Sequence, residues 1–254
     1  MVCFDEVLAV RPTKIIYRDG ESVLKVFNVN FSKSDILNEA LNQARVEETG
    51  LNIPRVLEVL KTDGMWAVRS AFIPGRTLQE LMDEQPERLE EYLGIFVDLQ
   101  LEVHSKRAPL LNRLTDKLDF KIAESSFDAT TRYELHNWLM ALPAGKSVCH
   151  GDFNPSNIII EPDGTPFLLD WAHATQGSPA GDAAGSFLLF ELAGKRETGQ
   201  RYLELFCEKS GLSYEEVRKW LPLVAAAQSV NNIPEQRELL ERWVNADYSA
   251  DGTR

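Results

Sequence analysis

Four polar residues between positions 150 and 170 have the types and spacing to do chemistry: His150, Asp152, Asn157 and Asp170. The first three form the pattern H-x-D-x-x-x-x-N. Between Asn157 and Asp170 the chain reads as a β-hairpin. Ile158-Ile159-Ile160 is a β-branched apolar run, Pro162-Asp163-Gly164 is turn chemistry, and Pro166-Phe167-Leu168-Leu169 is a second apolar run. Pairing the two runs brings Asn157, at the start of one strand, near Asp170, at the end of the other. An amide oxygen and a carboxylate held together suit Mg²⁺, a hard cation that prefers oxygen ligands. Asp152 lies a short loop upstream, free to address a substrate hydroxyl. Taken singly, Asp152 and Asn157 read as turn caps; taken together on a hairpin, the residues have the layout of a phosphoryl-transfer site.

The same segment resembles a known family. His150-Gly151-Asp152 with Asn157, followed by Leu169-Asp170-Trp171, is similar to the aminoglycoside phosphotransferase and choline kinase group. Protein kinases show H-R-D and D-F-G at these places, so Gly151 and Trp171 point to the small-molecule branch. The resemblance implies an α+β, protein-kinase-like bilobal fold, with a small antiparallel-sheet lobe over 1–73 and a larger, mainly helical lobe over 74–254. It implies an enzyme that moves the γ-phosphoryl group of ATP, or GTP, with Mg²⁺ to a hydroxyl of a small molecule such as an amino sugar, amino alcohol or sugar. In that reading Asp152 is the catalytic base, Asn157 and Asp170 hold the metal, and His150 supports them from behind.

The elements that must position these groups begin at the N-terminus. Glu6–Val10, Thr13–Arg18 and Ser22–Phe27 read as three strands, with Asp19-Gly20 a hairpin turn between the last two. The first turn, Arg11-Pro12, lacks the G-x-G-x-x-G that covers nucleotide phosphates in protein kinases, which leaves their cover open, with Arg11 a conceivable contact. Lys25, in V-L-K-V-F, resembles the strand lysine that pairs the α- and β-phosphates. Ser34 is a plausible N-cap for a helix from Asp35 to Glu48. Glu39 in its second turn is where the family places the lysine's partner; Glu47 and Glu48 are rivals, but sit where the helix dipole disfavours negative charge. Arg55–Leu60 and Met65–Phe72 complete a five-stranded sheet. The linker after it, with Ser70 and Phe72, is by resemblance the hinge that meets the adenine edge.

From Thr77 the chain turns helical. Thr77-Leu78-Gln79-Glu80 is a capping box, and Glu87 to His104 is a longer helix ending in a histidine read as structural. Residues 105–129 are polar and hard to assign, and Thr131 to Leu142 reads as a helix. Gly177, Pro179 and Gly181 argue against a helix after Asp170. Asp182 resembles the family aspartate that braces the catalytic loop, and capping a helix from Ala183 to Ala193 is compatible with that role. Trp171 and His173 could line the acceptor pocket, but each reads first as packing or as a satisfied polar group. Glu197 to Ala246 reads as three helices with Trp220 and Trp243 as core anchors, and 246–254 as a frayed tail.

Bulk properties narrow the classes. The net charge of −12 argues against a nucleic-acid partner, which needs clustered Lys and Arg. No apolar run approaches the ~20 residues that span a bilayer, and the N-terminus has no signal-peptide pattern. Cys3, Cys149 and Cys207 form neither a disulfide framework nor a zinc motif, so a cytoplasmic setting is expected. The acceptor and oligomeric state are not legible. Two other classes fit the same residues: a kinase of this fold acting on a macromolecule, which lacks support from an A-P-E activation segment, and a non-catalytic nucleotide-binding module.

Overall fold

The computed structural model describes residues 6–246. In chain order the elements are β1 (Glu6–Val10), β2 (Lys14–Asp19), β3 (Ser22–Phe27), α1 (Lys33–Glu47), β4 (Val56–Thr62), β5 (Met65–Ala71), β6 (Arg76–Thr77), α2 (Leu78–Glu84) and α3 (Leu89–Ser105). They continue with α4 (Leu114–Glu124), α5 (Ala129–Ala141), β7 (Ser147–Cys149), β8 (Ile158–Ile160), β9 (Pro166–Leu168) and β10 (Thr175–Gly177). The last helices are α6 (Pro179–Leu192), α7 (Arg196–Ser210), α8 (Tyr214–Arg218), α9 (Leu221–Ser229) and α10 (Arg237–Val244). Two compact units share them. One takes the chain up to Glu87 and Pro155–Ala174, the other Arg88–Asn154 and the chain from Thr175 onward.

The first unit is built on the antiparallel sheet β1-β2-β3-β5-β4. Strand alternation divides β3 cleanly. Leu24 and Val26 pack with Ala67 on one face, while Phe27 joins Val68 and the α1 residues Ile36 and Ala40 on the other. Helix α1 starts at Ser32, not at Ser34. Ser32 Oγ accepts from the Asp35 amide and the Asp35 side chain accepts from the Ser32 amide. Ser34 cannot build this reciprocal box, because the residue three places on is Leu37. The unit closes with the sheet β6-β8-β9, which contains the expected hairpin. Strand β6 pairs Arg76 with Ile160 and Thr77 with Ile159. Gly75 just before it has φ 146°, and any Cβ there would collide with the Ile160 carbonyl, so a glycine is required.

The second unit packs helices around an aromatic core. Phe96 of α3 meets Phe153, Phe190 and Tyr202 at centroid distances of 4.6, 5.6 and 5.3 Å. Each such buried ring is worth about 1.5–3 kcal/mol of transfer energy. Strands β7 and β10 pair antiparallel, Cys149 opposite Thr175 and Ser147 opposite Gly177. Neither strand, nor helix α4, is apparent from the sequence. Helix α6 also begins earlier than expected, at Pro179. Proline is suited to a helix's first turn, and Gly181 sits inside the helix because Leu114 and Trp220 press against it. Asp182 is therefore within the first turn instead of being a cap. The C-terminal region holds four helices, not three, since the Ser213–Glu216 capping box starts α8 separately. Trp220 is buried there, whereas Trp243 is only half-buried and donates from Nε1 to Glu191. Past Ala246 the expected tail lies outside the described residues, as does Cys3.

Candidate active site

In the first unit, sheet and helix deliver a lysine and a carboxylate to the same place. Lys25 alternates onto the face of Phe27, opposite Val68, and Glu39 lies on α1 between Ile36 and Ala40, which pack on that face. Lys25 Nζ donates to Glu39 Oε1 at 2.7 Å. Of the two rival glutamates, Glu47 accepts from the Val56 amide at 2.7 Å and Glu48 caps the helix. Lys25 also donates to Asp170 Oδ1 at 3.2 Å.

Asp170 follows β9 in the left-handed region, at φ 58° and ψ 68°. A non-glycine residue held there carries strain that the surroundings must impose. Three bonds do so. The Leu169 amide donates to the Asn157 carbonyl at 2.8 Å, Trp171 Nε1 donates to the Leu168 carbonyl at 3.1 Å, and Asn42 Nδ2 of α1 donates to the Ala172 carbonyl at 3.2 Å. Trp171 is thus fully buried packing, and His173 is exposed. The second oxygen of Asp170 accepts from Lys14 Nζ at 2.8 Å, a contact with no counterpart in the sequence reading. Burial alone would raise the Asp170 carboxyl, but the charges of Lys25 and Lys14 hold it well below the usual carboxylate range. Burial would likewise lower the Lys25 amine, and Asp170 with Glu39 raise it above the usual lysine range instead.

The donor set fits Mg²⁺. Asn157 and Asp170 offer hard oxygens from adjacent ends of one hairpin, and the Asp170 carboxylate already gathers two cationic groups. Magnesium characteristically uses one or two protein carboxylates plus substrate phosphates. Of the two residues expected at the adenine edge, Ser70 lies on the interior strand β5 and Phe72 just past its end. Ser70 is held in the ladder opposite Val23. The Phe72 amide donates to the Glu21 carbonyl at 3.0 Å, so it is not free to meet a base, and Arg18 lies 4.2 Å over its ring.

In the second unit the loop after β7 carries Asp152. The Asp152 amide donates to His150 Nδ1 at 3.2 Å, which sets the tautomer of this fully buried imidazole. Asn154 Nδ2 reaches back to the Asp152 carbonyl and to Asp152 Oδ1, both at 3.1 Å. The next layer is Asp182. It accepts from the Gly151 amide at 2.8 Å, the His150 amide at 3.3 Å and His104 Nε2 at 2.9 Å. Burial opposes its ionisation, but the His104 bond and the Gly151 amide outweigh it and keep the carboxyl below its ordinary range. Gly151 adopts φ 77°, a backbone state that turns its amide to this acceptor without strain.

Helix α4 adds two lysines one turn apart, Lys117 and Lys121. Burial, reinforced by the Lys121 charge, pushes the Lys117 amine down to about 7 against the pull of Asp182, Asp152 and Cys149. Burial also lowers Lys121, with Asp152 opposing. Neither residue was singled out from the sequence, because the 105–129 segment gave no helix to place them on. The signal was Leu114, Leu118 and Ile122, an apolar i, i+4, i+8 row. Asn154 could have been read too, as an amide two residues past the aspartate, where Asx side chains bond back.

The fold and the paired lysine and glutamate define a protein-kinase-like α+β protein. The model of the phosphotransferase enzyme family matches residues 14–220, and the chain belongs to that family. No curated protein matches it in sequence. Among solved structures, a thermostable mutant of aminoglycoside phosphotransferase APH(4)-Ia in its apo form is 18% identical, with a TM-score of 0.69 over 98% of this chain and 95% of that one. A complex of the same enzyme with ADP and hygromycin B scores 0.71 at 17% identity, over 98% and 96% of the two chains. Aminoglycoside phosphotransferase APH(3'')-Id from Streptomyces rimosus, with ADP and streptomycin, scores 0.63 at 17% identity, over 87% and 91%. The expected fold and enzyme class are those found. No described helix is long and apolar enough to cross a membrane.

Proposed function

We propose that the protein transfers the γ-phosphoryl group of Mg-ATP to a hydroxyl of a small molecule. The observation that carries this reading is the ion network Glu39–Lys25–Asp170, at 2.7 and 3.2 Å, in a member of a phosphotransferase family. Lys25, oriented by Glu39, binds the α- and β-phosphates. Asn157 and Asp170 would hold Mg²⁺, which supplies neutralising charge to the phosphate oxygens. Asp152 accepts the acceptor's hydroxyl proton, and Asn154 and the His150–Asp182 layer fix where its carboxylate points. Four residues of chain separate Asp152 from Asn157, so proton acceptor and metal ligand come from one short segment. Catalysis of this kind is mostly positioning and electrostatics.

Similar folds in complex with ADP and an aminoglycoside support a nucleotide and a small hydroxyl-bearing acceptor. Fold alone does not carry the acceptor over. The amines of Lys117 and Lys121, both of which feel the charge of Asp152, make the surroundings of the base less uniformly acidic than the net charge of −12 suggests. The test is ADP release from Mg-ATP across a panel of hydroxyl-bearing metabolites and aminoglycosides, with Asp152→Asn as control. Acceptor-dependent turnover should appear and fall by roughly 100-fold or more in the variant, the usual range for loss of a general base, with nucleotide affinity little changed. Equal turnover in Asp152→Asn would remove that residue from the role of base.

A further inference from the structure

Asp170 carries one more ammonium group than the lysine–glutamate pair explains. Its Oδ1 faces Lys25 and its Oδ2 faces Lys14. Lys14 is the first residue of β2, directly after the Arg11-Pro12-Thr13 turn. That turn is closed by its own backbone, the Arg11 amide donating to the Lys14 carbonyl at 2.9 Å. It contains no glycine and offers no loop of free amides to wrap phosphates. In the ladder Lys14 lies opposite Phe27 and Ile16 opposite Lys25, so Lys14 and Lys25 project from one face of the sheet.

The two lysines differ in what else holds them. Lys25 has Glu39 as well as Asp170; the partner the structure gives Lys14 is Asp170. A cation that takes an oxygen of Asp170 displaces an ammonium, and the one without a second carboxylate is the one released. Its charge is then left beside the turn where protein kinases place their phosphate cover. The side chains of the pair are only 19% and 23% exposed, so an ammonium released from Asp170 needs another anion close by.

We propose that Lys14 is a ligand of the nucleotide's phosphates, exchanging Asp170 for a phosphate oxygen on binding and doing from a strand what a glycine-rich loop does with backbone amides. The inference rests on the nucleotide reading given above. It concerns binding only, and no bond is made or broken.

Calorimetric titration with ATP and with adenosine, at fixed Mg²⁺, tests it in the wild type, Lys14→Met and Lys14→Arg. Lys14→Met should bind adenosine as the wild type does and bind ATP roughly ten- to a hundredfold more weakly, the effect of one hydrogen bond to a charged group. Lys14→Arg, which keeps the charge but changes the reach, should fall between. ATP binding in Lys14→Met as tight as in the wild type, or tighter, overturns the inference and makes Lys14 a counter-ion of the empty site alone. An equal loss for adenosine and ATP overturns it too, since the phosphates would not be what the residue senses. If Lys14→Met does not fold, wild-type ATP affinity in Lys14→Asn or Lys14→Gln does the same. A wild type that binds neither ligand removes the nucleotide reading itself, an outcome separate from any of these.

Discussion

Asp182 shows how a single buried carboxylate can set the geometry of a loop it does not belong to. Its two oxygens take three donors, two of them backbone amides of the loop that carries Asp152. Asparagine at this position keeps the volume but turns an N–H₂ group toward N–H donors and removes the charge. Asp182→Asn should lower folding stability by about 3 kcal/mol or more, the scale for leaving buried donors facing no acceptor. Urea denaturation measures it; a loss under about 1 kcal/mol would mean that the loop finds other acceptors. Much of this layer was legible, because the H-x-D-x-x-x-x-N spacing packs the chemistry into consecutive residues and the family pattern names Asp182. Lys14 was not. A lysine opening a strand looks like any surface lysine until the register with Lys25 and the left-handed turn at Asp170 put the two together.

Elements announced themselves in the sequence where their ends are chemical and hid where their middles are polar. The five strands of the first sheet, the β8–β9 hairpin and the Thr77 helix carried turn and capping signals and were found within a residue or two. Helix α4 was not found, since its eleven residues hold Leu114, Leu118 and Ile122 among Thr115, Asp116, Lys117, Asp119 and Lys121. Its polar face has a measurable consequence. With the folded-state amine of Lys117 near 7 and an ordinary value of 10.5 in the unfolded chain, the unfolded state binds more protons between those values. Stability therefore rises with pH across that window, and the cost of the buried charge is fully present below about pH 7. Each pKa unit of displacement is about 1.4 kcal/mol. The groups acting on Lys117 are Lys121, Asp182, Asp152 and Cys149, and of these only the lysine adds to the cost. Lys117→Met should be more stable than the wild type at pH 6, with the difference shrinking by pH 9. Chemical denaturation at both values checks this, and a difference independent of pH would show that the amine is not desolvated.

At the scale of the whole molecule, the chain passes from one compact unit to the other at 87/88, 154/155 and 174/175. Two of those crossings bracket the segment with Asn157 and Asp170, so the motif that reads as one block belongs to two bodies, Asp152 to one and Asn157 with Asp170 to the other. Nothing in a linear pattern signals that division. The hairpin completes the first unit, because Asp170 joins a network whose other members, Lys14, Lys25 and Glu39, come from the first 39 residues. A ligand bound to that network stabilises a body assembled from two distant stretches of chain, and binding only the folded form adds about 2.7 kcal/mol at a hundred times Kd. For a chain of this length each kcal/mol moves the melting point by about 2–4 °C. Mg²⁺ with the non-hydrolysable analogue AMP-PNP should therefore raise the melting temperature of the wild type by roughly 5–10 °C at that excess. Lys25→Met, which removes the ammonium shared by Glu39 and Asp170, should lose most of the rise while Asp152→Asn, in the other unit, keeps it. If both variants lost it equally, the nucleotide would depend on both bodies and the assignment of its phosphates to the first unit alone would be wrong.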